Sequence, residues 1–127
     1  MGAAFMATEE CTVHPNVKQA IVQAIDRDIV ACGASIGEPS WQIKNKLAEQ
    51  LMKIESENPW TQAADMVREV SEGSLSIAAL EGDVEEKGTV MVGQAVGLIH
   101  SIKLVKELVI EFCTEWQKWL DKSYQLA

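Results

Sequence analysis

The chain has 127 residues, 47% of them hydrophobic and 24% charged, the proportions of an ordinary globular domain rather than a disordered or fibrous chain. Its 19 acidic and 11 basic residues leave a formal charge of -8, a surface that repels a phosphate backbone, so no nucleic-acid partner is expected. Cys11, Cys32 and Cys113 are odd in number and widely spaced, which suits free thiols in a reducing cytoplasm better than a disulfide framework.

Residues 1–12 are expected to be disordered or frayed, within a single helical domain spanning 1–127. Neither an export signal nor a lipidation signal is read from the first residues. Pro15 suits a first helical position, and a helix over 15–32 presents Val17, Ile21, Ala24, Ile25 and Ile29 before Gly33 stops it. Residues 33–38 read as a turn. Pro39 opens a second helix whose apolar face is Ile43, Leu47, Leu51 and Ile54, with Lys44, Asn45, Lys46, Glu49 and Gln50 on the other side.

Asn58-Pro59 is both a stop and a start. Asn58 is a good N-cap and Pro59 a good first residue for a third helix carrying Trp60, Ala63, Ala64, Val67 and Val70, which Gly73 ends. Trp41 and Trp60, each in the first turn of its helix, are expected to anchor the core. Leu75 to Leu80 predicts a short helix capped by Ser74, with a hairpin pairing against residues 88–93 as the alternative. The acidic residues 81–86 read as a solvated turn, because their spacing does not match a calcium-binding EF-hand loop.

The strongest periodic signal comes last. Met91, Ala95, Leu98, Ile102, Val105, Val109, Phe112, Trp116 and Trp119 stand alternately 4 and 3 residues apart, the spacing of one seam on a long helix. Continued over 89–122, such a helix is a rod of about 50 Å, against a diameter of about 35 Å for a globule of this length. The rod either breaks near Gly93 and Gly97 or packs its overhanging end on a second copy. A membrane-inserted function is not expected, since the uncharged stretch over 88–102 is shorter than the roughly 20 residues that span hydrocarbon.

The predicted architecture is therefore all-α: a bundle of four to five helices with a long C-terminal helix, assembled as a homodimer. No catalytic, cofactor or metal constellation emerges. Cys11 and His14 have a two-ligand spacing with no second pair to complete a zinc site; as nucleophile and base, Cys113 and His100 stand about 20 Å apart along one helix, and Cys11 with His14 falls in the frayed start. The function expected is that of a small acidic cytoplasmic regulator, adaptor, assembly factor or inhibitor that is not an enzyme. Its partners would be itself and another protein, met through Val105, Val109, Phe112, Trp116 and Trp119. The alternative is a small-molecule binding bundle with an apolar pocket at Leu98, Ile99, His100 and Ile102.

Overall fold

The computed structural model describes residues 2–126. Met1 and Ala127, the outermost positions of the expected frayed start and single domain, lie outside the described residues. Helix α1 (Gly2–Met6) is followed by Ala7 and Thr8, both buried, where fraying was expected. Thr8 pairs with Lys103 in an isolated parallel bridge, and the Glu9 amide donates to the Lys103 carbonyl at 2.9 Å. A segment 95 residues away therefore holds the start in place.

Helix α2 (Pro15–Gln23) begins at the proline its pattern predicts, with the His14 ring accepting from the Asn16 amide at 3.1 Å. It ends nine residues before the expected stop. Ala24 turns the backbone extended, and the Ile25 amide donates to the Asp28 carboxylate at 2.9 Å, opening a short 3-10 turn at Asp26–Asp28. The β-branched Ile29 and Val30 then enter strand β1 (Ile29–Cys32), where branched side chains are favoured.

Strand β2 (Ser40–Ile43) pairs antiparallel with β1, in the register Ile29 to Ile43 and Cys32 to Ser40. This hairpin corrects the all-α expectation, as a strand stands where the second helix was to open. On the free edge of β2 lies the segment 90–92: the Ile43 amide donates to the Val90 carbonyl at 3.0 Å and the Val92 amide to the Trp41 carbonyl at 3.1 Å. Residues 90–92 thus pair with β2, while the Thr89 amide donates to the Ser74 carbonyl at 3.0 Å; the 75–80 segment is helical, so the alternative hairpin between it and 88–93 does not form.

Helix α3 (Lys46–Glu57) buries Leu47, Ala48, Leu51 and Ile54, and helix α4 (Trp60–Ser71) buries Ala63, Ala64 and Val67. These faces meet in one core with Cys32. A second core joins Ala7, Val17, Ile21, Ala24 and Ala78 to Val90, Val92 and Val96. Trp41 and Trp60 do not anchor either, being 46% and 59% exposed. Gly73 adopts a left-handed φ of 71° at the end of α4, and α5 (Ser74–Ser76) continues into a wider π turn at Ile77–Glu81.

The long rod does not form. Residues 89–104 form no α-helix, holding only a 3-10 turn at Gln94–Leu98 and isolated bridges at Met91 and Lys103, and helix α6 spans only Val105–Leu126. The physical reason is competition for backbone groups. The open edge of β2 pairs with residues 90–92, while Gly93 and Gly97 weaken any helix through that stretch. Glu10 then fixes where α6 starts, both its carboxylate oxygens accepting from the Val105 amide at 3.0 Å. No described helix is long and apolar enough to cross a membrane.

Candidate functional site

Between α1, β2, the segment 91–101 and the first turns of α6 lies an open cleft of about 720 Å³. Its walls follow from the pairings just described. The Thr8–Lys103 bridge brings α1 against the entry to α6, and the 90–92 segment carries Met91, Val92 and Val96 alongside β2. Ala3, Ala4 and Met6 face it from α1, Trp41 from β2, and Leu108, Glu111, Phe112 and Glu115 from α6. Phe112 packs edge-on against Phe5, with ring centroids 6.2 Å apart.

Most of this surface is apolar, and its polar groups are partly committed. The Thr8 hydroxyl donates to the Phe5 carbonyl at 2.7 Å. Lys103 forms an ion pair with Glu111, so the one lysine on the cleft is balanced by a carboxylate of α6. His100 and Ser101 stand exposed on the segment that leads into that helix.

Of the residues expected to form a small-molecule pocket, Leu98, Ile99 and His100 line this cleft and Ile102 does not. Of the expected association surface, Phe112 lines the cleft and Val105 is half-buried, while Val109, Trp116 and Trp119 are exposed on α6. Trp41, Met91 and α1 were missed as wall residues. A strand pairing between positions 42 and 91 and a bridge between 8 and 103 bring them together, and neither contact leaves a local pattern.

Elsewhere the chemistry is closed. Cys32 is buried, and burial pushes its thiol above the ordinary 9.0, with the Glu55 carboxylate acting the same way and the Gln42 amide acting against it. The Gln42 Nε2 atom is buried without a hydrogen-bond partner. Among the described residues, no three His, Cys, Asp or Glu side chains gather as metal ligands. The His14 ring lies against Gly82, where a Cβ would fall 2.2 Å from Nδ1.

Residues 1–115 match the nitronate monooxygenase family. The structure of FabK from Thermotoga maritima is similar over 100% of this chain and 39% of its own, with 37% identity and a TM-score of 0.88. A second structure, the FabK M276A mutant from the same organism, is similar at 32% identity and a TM-score of 0.81, over 100% of this chain and 36% of its own. The chain therefore spans about two-fifths of the solved structures it matches. No curated protein matches it significantly. These findings overturn the reading as a non-enzymatic regulator that works through protein contacts, and they replace the helical bundle with a piece of an α/β enzyme fold. The chain belongs to the nitronate monooxygenase family.

Proposed function

We propose that the protein is an oxidoreductase that oxygenates nitronates, and that the cleft of about 720 Å³ supplies part of its substrate wall. The observation that carries this reading is the family match over residues 1–115. Oxygen chemistry of this kind runs on a redox cofactor, since no side chain activates dioxygen by itself. Met6, Val92, Val96 and Leu108 give the cleft the apolar walls that suit the faces of a flat organic cofactor. Gly2, with no atom within 4 Å of where a Cβ would stand, leaves room at the α1 end. Free thiols at Cys11, Cys32 and Cys113 favour a cytoplasmic location.

Oxygen uptake by the purified protein on adding a primary alkyl nitronate is the expected outcome. Equal uptake with and without nitronate counts against the reading. The 37% identity to FabK across 100% of the chain favours a second reading, that the whole protein performs the reaction of FabK. Assaying that reaction beside nitronate oxidation, and comparing kcat/KM, decides between the two.

A further inference from the structure

We infer that Trp41 sets the substrate class at this cleft: its indole is the wall against which the apolar chain of an alkyl nitronate lies. The inference rests on the nitronate reading above and adds the chain-length preference and the residue behind it.

Trp41 is held on both sides through its backbone. It sits opposite Ala31 in the β1–β2 register, and its carbonyl accepts from the Val92 amide at 3.1 Å. The side chain alternates away from the buried Gln42, lines the cleft and remains 46% exposed. A large aromatic left half uncovered presents apolar area, and with only two side-chain torsions it loses little entropy when something covers it.

Its surroundings indicate what that is. Met91, bridged to the neighbouring Gln42, adds a second apolar surface that is 44% exposed and adaptable in shape. Ala3, on α1, is small and leaves the cleft wide. The cleft's basic side chains, His100 and Lys103, stand with Ser101 on the segment leading into α6, where Glu111 already pairs Lys103; Thr8 and the half-buried Ser40 beside Trp41 bring only hydroxyls. The head belongs with that segment, and the strand side carrying Trp41 is left for the hydrocarbon.

The test is a chain-length series, from ethyl to pentyl nitronate, in the wild-type protein and in the Trp41→Ala and Trp41→Phe variants. Burial on an apolar wall gives about fourfold per covered methylene, so wild-type kcat/KM should climb with length. In Trp41→Ala the pentyl-to-ethyl ratio should fall about tenfold, with the loss in KM, and Trp41→Phe should recover most of it. A ratio unchanged in Trp41→Ala, or a loss that is equal at every length, overturns the inference.

If the wild type oxidises no nitronate, the same series is read as binding, by the thermal shift that the parent nitroalkanes produce. A length dependence that needs Trp41 then keeps the wall and rejects the nitronate reading. A flat response in the wild type rejects both.

Discussion

Asn45 ties three parts of the chain together with one side chain. Its oxygen accepts from the Ala48 amide at 2.9 Å, capping α3, and its nitrogen donates to the carbonyls of Val84 at 2.9 Å and Gly88 at 2.7 Å. A lost N-cap costs about 1 kcal/mol, and each carbonyl left without its donor adds about 1 kcal/mol. Asn45→Ala should therefore destabilise by about 3 kcal/mol, read as the midpoint of urea unfolding with an unchanged slope. An Asn45→Asp variant keeps the cap but sets a carboxylate oxygen against both carbonyls, so it should destabilise at least as much as Asn45→Ala. The sequence pattern placed Asn45 only on the polar side of a helix. Its partners at 84 and 88 are 39 and 43 residues away, which no local period reveals.

At the scale of elements, the loop between the π turn and residue 90 is organised around Asp83. Its carboxylate accepts from the amides of Glu86 at 2.8 Å and Glu85 at 3.2 Å, and these bonds hold it below its ordinary 3.8. A carboxyl depressed in the folded state stabilises fully above its unfolded value, and that contribution is lost as pH falls through the folded one. Stability should thus drop below about pH 4, and Asp83→Asn should flatten that drop while lowering the urea midpoint at neutral pH. The loop's tightness is visible at Gly88, where a Cβ would fall 1.8 Å from the Asp83 carbonyl oxygen. Helices α3 and α4 were legible because amphipathic faces and end signals such as Asn58-Pro59 and Gly73 are local. The hairpin was not, because Ile29, four residues after Ile25, fits a helical period as well as a strand, and only pairing with β2 chooses between them.

At the scale of the molecule, the apolar row on α6 is part-covered at Val105 and Phe112 but left open by the described residues at Val109, Trp116 and Trp119. Trp116 is 64% exposed and Trp119 67%, and Leu108 is the one fully buried residue among those described on that helix. A row of this kind calls for cover. In the FabK neighbours, about three-fifths of the fold lies outside the part this chain matches, and an equivalent portion would be one source of it. For this chain by itself the expected cover is a second copy. Sedimentation should show a dimer that dissociates on dilution, and joint Trp116→Ala and Trp119→Ala should return it to a single copy with the helical circular dichroism intact. A single copy at high concentration in the wild type would show that α6 does not mediate self-association.

Composition and local pattern alone determined the acidic surface, the start of α2 at Pro15, the buried faces of α3 and α4, and the row on α6. Each of these depends on residues within a few turns of one another. Only tertiary structure decided that residues 29–32 and 40–43 are strands, that 90–92 lie on the edge of β2 in place of entering a long helix, and that Trp41 shares a cleft with α1 and α6. The physical reason is that backbone hydrogen bonds between distant segments satisfy donors and acceptors that a helix would have satisfied within itself. The sequence period cannot tell which of the two satisfies them.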